Sequence, residues 1–359
     1  MKYPFGNDPK KIDAYKKFWS REEVKRPIVG FTFKSWFPLD EYQASAVWPK
    51  DTYLTPEMIH PEEFLDDQER ILSEADRIDD DILRGATPSQ AVFWCCGALG
   101  AKMRIMPGNV VPEDRSLSWE ETEKTWLNPE EHPWYKKYME FIDALVERSA
   151  GRYPISHSTI VGPLDFAINI RGHEQAVVDL MEDPEPASKF LEHGADFFIN
   201  ITKAAWKRIP LYHGGWFDAQ YQLWAPGPIA RMQEDAVAVM SPDLYKRYIR
   251  PVDEKIAKAF ACSFMHLHST SMFVLDHILE IDALKCLQIN NDVAGPPLTE
   301  MIAYFRKTQK SGRSLLIRGS FTSDEMKFLI DNLDPRGLYL NIMIQDEAEI
   351  DQLKKIAGM

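Results

Sequence analysis

Apolar and polar positions along this chain switch repeatedly between two periods. Short runs with few charges read as buried strands: IVGFTF from Ile28, PISHSTIV from Pro154, SFMHLH from Ser263, ALKCLQIN from Ala283, SLLIRG from Ser314 and GLYLNIMI from Gly337. Two shorter stretches, AVFW at 91–94 and RIPLY at 208–212, are expected to supply two more. Between these runs the apolar spacing lengthens to three and four. It predicts helices over 61–81, where Phe64, Ile71, Ala75 and Ile78 share a face, over 133–152, and over 241–260. Start signals agree with this division. Asp183-Pro184 and Ser241-Pro242 place a capping residue before a proline at the first helical position, and Thr322 with Glu325 forms a capping box.

Strand followed by helix, about eight times over, calls for a parallel sheet with right-handed crossovers, and at 359 residues a single (β/α)8 barrel accommodates it. Residues 1–27 form a polar, helix-rich N-terminal extension. Residues 101–135, rich in proline, glycine and acids, read as a lid or insertion over the barrel mouth. The acidic triplet at 79–81 is expected to be solvated surface.

Composition narrows the function. A net charge of −13 repels phosphate backbones and anionic bilayers, so neither nucleic acid nor membrane is an expected partner. The first residues lack the apolar core of a signal peptide, and no run approaches the roughly 20 apolar residues that span a bilayer; a cytoplasmic protein is expected. Four cysteines, irregularly placed, do not make a disulfide framework. Neither a Gly-x-Gly-x-x-Gly turn nor a phosphate-binding Gly-x-x-x-x-Gly-Lys loop occurs.

A (β/α)8 barrel carries its chemistry at the C-terminal ends of its strands. The strand-end residues here are the aromatic and acidic loop with Trp36, Phe37, Asp40 and Tyr42, then His157, then His213 with Trp216 and Trp224, then His266 and His268, then Asn290 and Asp292. His266 and His268 are two apart, so on an extended strand both imidazoles face the same side. That spacing can hold a metal, and it serves equally for two hydrogen-bonded or solvated histidines. The tryptophans, Trp94 included, suit a planar substrate surface or a core.

Four segments, in order over about residues 150–355, resemble the uroporphyrinogen decarboxylase-like superfamily: HSTIVGPLDFAINIRGHEQAVVDLMEDPE, EDAVAVMSPDLYKRYIRPVDEKI, MHLHSTSMFVLDHILEIDALKCLQINND and GSFTSDEMKFLIDNLDPRGLYLNI. The resemblance implies a (β/α)8 barrel. True decarboxylases of the family carry an arginine-rich N-terminal motif for their acidic substrate, whereas here no arginine lies between Arg26 and Arg70. The cobamide-dependent methyltransferase branch is similar in its strand-end zinc motif, with His-Leu-His here in place of His-x-Cys and no late cysteine.

What the resemblance implies is a methyltransferase component that moves a methyl group from a small methylated compound, such as an aryl methyl ether, to a corrinoid carried by a partner protein. His266 and His268 would hold zinc, with Asp292, Glu234 or Asp235 completing or supporting the site. His157 or His213 would handle the proton of the leaving oxygen. Trp36, Phe37, Trp94, Trp216, Trp224 and Asn290 would contact the substrate, and a homodimer is an admissible assembly. Two other readings stay open: a metal-free decarboxylase or lyase, in which Asp40 and Tyr42 act on a protonated ring, and a binding barrel without chemistry.

Overall fold

The computed structural model describes residues 3–33 and 39–359, with the side chain of residue 75 left aside; Trp36 and Phe37 lie outside the described residues. Six strands form one parallel sheet: β1 (Ile28–Phe33), β2 (Ile229–Gln233), β3 (Cys262–Leu267), β4 (Cys286–Asn290), β5 (Ser314–Gly319) and β6 (Leu338–Ile344). Their order is β1-β6-β5-β4-β3-β2, every neighbouring pair parallel. The first strand therefore pairs with the last, and β1 and β2 are the two edges of this six-stranded sheet.

Between β1 and β2 run two extended segments, 82–87 and 154–159, joined by a single parallel bridge, Ala86 to Ile155. Side chains stand in for the missing ladder. The amide of Phe31 donates to Asp80 Oδ2 (3.0 Å) and that of Val29 to Asp81 Oδ2 (2.9 Å). Asp80 is fully buried, and Arg84 clasps it through both terminal nitrogens at 2.6 and 2.7 Å. Burial opposes its ionisation, but the Arg84 guanidinium and Lys11 outweigh that and hold its carboxyl below the usual range. Of the acidic triplet only Asp79 is solvated surface; Asp80 is buried and Asp81 partly so. Asp80 and Asp81 form a charged clamp between β1 and its neighbour, and AVFW, expected as a strand, instead leads into the short helix Trp94–Ala98.

A second displacement occurs before β2. RIPLY runs into a tight antiparallel hairpin of Trp216–Asp218 and Leu223–Ala225, and the strand that joins the parallel sheet is the next segment, Ile229–Gln233. All five of its residues are buried, including Arg231 in its middle. The hairpin lies at the N-terminal ends of the strands, held there by the helix Lys11–Ser20: the Tyr15 hydroxyl donates to Gln222 O (2.7 Å) and Trp19 Nε1 to Trp224 O (2.8 Å). These groups form a compact inner core with Phe264, Leu316 and Tyr339, separate from the larger core between sheet and helices.

Residues 101–135 contain Met103–Met106 and Asn109–Pro112, antiparallel to each other, with Tyr53–Leu54 beside them, followed by the helix Trp119–Thr125. The capping box of Thr322 and Glu325 is present. Ser241 caps Leu244, whereas the Asp183 side chain caps nothing although Pro184 does begin its helix. Among the described residues no helix is long and apolar enough to cross a membrane.

Candidate metal centre

In β3, Met265 and Leu267 belong to the outer core while Phe264 faces inward, so His266 points into the sheet's concave side. His268 follows with φ −76° and ψ 148°, extended backbone that carries the alternation one step past the strand. The two rings lie 4.8 Å apart, edge to face. Alternation in the neighbouring strand delivers the third group. Arg231 and Gln233 face inward on β2, and two residues on Asp235 does too; its Oδ1 stands 4.0 Å from His266 Nε2 and 3.9 Å from His268 Nε2. The three ligand atoms lie within 4.8 Å of one another.

What orients the imidazoles is on their far side. His266 Nδ1 meets Gln288 Oε1 and, at 3.0 Å, the Tyr221 hydroxyl. The Gln288 amide is itself set by donating Nε2 to Asn290 Oδ1 (2.9 Å), which leaves its oxygen for the histidine. His268 Nδ1 donates to Asp292 Oδ1 (3.1 Å), and Asp292 Oδ2 accepts from the amide (2.8 Å) and hydroxyl (2.9 Å) of Ser269. With each Nδ1 proton given to an oxygen, the neutral form of each ring carries its lone pair on Nε2, and both Nε2 atoms face Asp235.

Electrostatics differ between the rings. Burial pushes His266 down to about 4, so it is neutral near pH 7. His268 is raised, first by its hydrogen bond to Asp292, against partial burial. Burial opposes the ionisation of Asp292, yet the hydrogen bonds from His268 and Ser269 outweigh it and hold that carboxyl well below its usual range.

The donor set fits a divalent ion such as zinc: two imidazole Nε2 atoms with oriented second partners, that of His266 neutral and that of His268 offered once a metal displaces its proton, and one carboxylate, leaving a fourth position open. Ligand atoms around zinc stand about 3.3 Å apart, so Asp235 must close in by roughly 0.5–1.5 Å on binding. Its side chain is half exposed, and the oxygen that would close in, Oδ1, is not the one that accepts from Gln233 Nε2 (3.1 Å).

The other candidates from the sequence lie elsewhere. Glu234, next to Asp235, turns to the outside of the sheet, where its Oε2 accepts from the amide of Leu164 at 3.0 Å; burial and the neighbouring Asp253 and Asp165 push its carboxyl well up. His157 is fully buried against Trp206, ring centres 5.0 Å apart, on the helix side. His213 is exposed in the Tyr212–Gly215 turn that precedes the hairpin at the opposite end, φ 48°, and Trp216 and Trp224 belong to that hairpin. Trp94 is core, packed on Trp134, Tyr138 and Phe141. Tyr42 is buried on Phe64 with its hydroxyl bound by Gln68 (3.1 Å), and Asp40 is exposed on a short turn nearby. Asn290 and Asp292 are at the centre, as orienting groups behind Gln288 and His268. Tyr221 and Gln288, the two side chains that meet His266 Nδ1, are ones the sequence pattern alone did not single out. Gln288 was within its reach, since LQIN alternates and places Gln288 on the face of Asn290.

The sequence matches no protein-family model and no curated protein. Its fold is similar to solved structures, among them a methyltransferase from Methanosarcina mazei, with a TM-score of 0.64 over 96% of each chain at 12% identity. At that identity the likeness is one of fold.

Proposed function

We propose that this protein is a zinc-dependent methyltransferase component that takes the methyl group of a small oxygen-linked methyl compound, an aryl methyl ether, and delivers it to the reduced corrinoid of a separate cytoplasmic partner protein. One observation carries the reading: two imidazole Nε2 atoms, each fixed by an acceptor behind it, converge with Asp235 at the C-terminal ends of parallel strands. The likeness in fold to a methyltransferase supports it. On this reading segments 82–87 and 154–159 serve as second and third strands of a closed (β/α)8 barrel, and residues 101–135 act as its lid.

A bound zinc ion would supply Lewis acidity toward the ether oxygen. The chain's own residues do the rest. Gln288 and Asp292 hold the two rings in the tautomer that offers Nε2, and Ser269 keeps Asp292 ionised and aimed. Tyr221, wholly buried beneath His266, closes the floor of the site against water from the other end. In the overall reaction the carbon–oxygen bond breaks with its electron pair left on oxygen, as a phenolate, while the corrinoid cobalt supplies the pair for the new bond to methyl.

The test is single-turnover transfer from methoxylated arenes to cob(I)alamin, with zinc-loaded and chelator-treated protein compared. The proposal expects methylcobalamin only with metal; equal transfer in chelator contradicts it and favours the metal-free lyase type of site.

A further inference from the structure

Most arginines in this protein that use the Nε–Nη2 edge of the guanidinium spend it on a carboxylate. Arg171 donates Nε to Asp179 Oδ2 (2.6 Å) and Nη2 to Oδ1 (3.0 Å), and Arg148 grips Glu69 the same way at 3.1 and 3.3 Å. Arg318 does not. It is 7% exposed, and the same two atoms, Nε and Nη2, are buried without a hydrogen-bond partner among the described residues. Its neighbours offer no compensating acid: Tyr221 lies beneath it, cation to ring centre 6.0 Å, and Tyr339 and Arg231 are the other groups that act on its charge. Of the carboxylates that face that interior, Asp218 stands 3.8 Å from Arg231 and Asp235 lies against the two histidines, and neither is among the groups that act on the Arg318 charge. Arg318 is therefore buried without an acid of its own, which is costly unless something anionic answers it.

Position says what. Arg318 pairs in register with Asn290, two residues beyond Gln288, and Gln288 pairs with His266. Arg318 faces the same interior as His266, one pleat nearer the strand ends and two strands away, roughly 10 Å between strand axes. Resting on the methyl-transfer reading of that interior, we infer that Arg318 anchors a carboxylate on the substrate, bidentate through Nε and Nη2, so that the substrate is an aromatic acid whose methyl ether end lies toward His266, His268 and Asp235. A neutral arene would leave the guanidinium edge desolvated and unpaired.

The experiment measures binding of p-anisate and its neutral isostere p-anisamide to the full chain by calorimetry, with benzoate and inorganic phosphate as further probes. Wild type, Arg318→Gln and Arg318→Lys are compared, each zinc-loaded and chelator-treated, with zinc content recorded. The expected result is about tenfold or greater preference for the acid over the amide in wild type, with or without zinc. Arg318→Gln abolishes that preference at unchanged zinc content, and Arg318→Lys, which keeps the charge but not the planar edge, retains part of it. Equal affinity for acid and amide overturns the inference, as does a preference that survives Arg318→Gln, failure of every anion to bind wild type, or stronger binding of phosphate than of benzoate. Should Arg318→Gln fail to fold, the wild-type acid-to-amide ratio in chelator decides. Because that ratio needs no metal, a protein that holds no zinc but prefers the acid would refute the metal reading and leave Arg318 its role.

Discussion

His157 and His266 begin alike and end differently. Each sits on an extended segment near its C-terminal end, each is buried, and burial pushes each imidazole down to about 4. His157 gives its Nδ1 proton to the adjacent Ser158 carbonyl (2.7 Å), and its Nε2 is enclosed without a partner beside Trp206. His266 gives its Nδ1 proton to an oxygen and turns Nε2 toward a second imidazole and a carboxylate. A depressed pKa marks both and so distinguishes nothing. Convergence of oriented lone pairs is what separates a centre from a packed ring.

The largest expected break in this comparison comes from His266→Ala, which should lower zinc affinity by more than about a hundredfold in a competition titration, while His157→Phe leaves it unchanged. Next come the orienting groups: Gln288→Ala and Asp292→Ala should each weaken zinc about 10–100-fold in the same titration, without removing a ligand. The third effect is on stability. His157 is neutral in the fold and charged in the unfolded chain between pH 4 and its ordinary 6.5, so the unfolded state binds more protons and stability falls as pH drops through that window. His157→Phe should remove on the order of 2–3 kcal/mol of that acid sensitivity, seen as a shallower slope of unfolding free energy against pH in denaturant melts. Smallest is His213→Gly, in an exposed turn at φ 48°, expected within about 0.5 kcal/mol of wild type in thermal melts and silent on metal binding.

How much of the fold and site was legible in the sequence depended on where alternation was allowed to show. SFMHLH displays it plainly, and both histidines fell on one face. IARMQ did not, because a five-residue run buried throughout with an arginine at its centre has neither alternation nor an apolar signature. Without that strand, the parity of the residues after it was lost as well: with β2 in place, Arg231, Gln233 and Asp235 share the inner face and Glu234 must point out. Asp80 and Asp81 misled for a related reason, unlike the exposed Asp79 beside them, since a charged run is solvated unless a cation such as the buried Arg84 answers it, and that pairing is made by the fold rather than by sequence spacing. Tyr221 reaches His266 from a hairpin inserted at the opposite end of the sheet, a contact across 45 residues that no local pattern encodes.

The central claim is that His266, His268 and Asp235 hold one ion together, and the most direct measurement is elemental analysis of the purified chain beside His266→Ala, His268→Ala, Asp235→Ala and His157→Phe. The account predicts about one zinc per chain in wild type and in His157→Phe, and its loss in the other three. Zinc retained at full stoichiometry in the His266 and His268 variants, or none in any protein grown and refolded with zinc present, would contradict it.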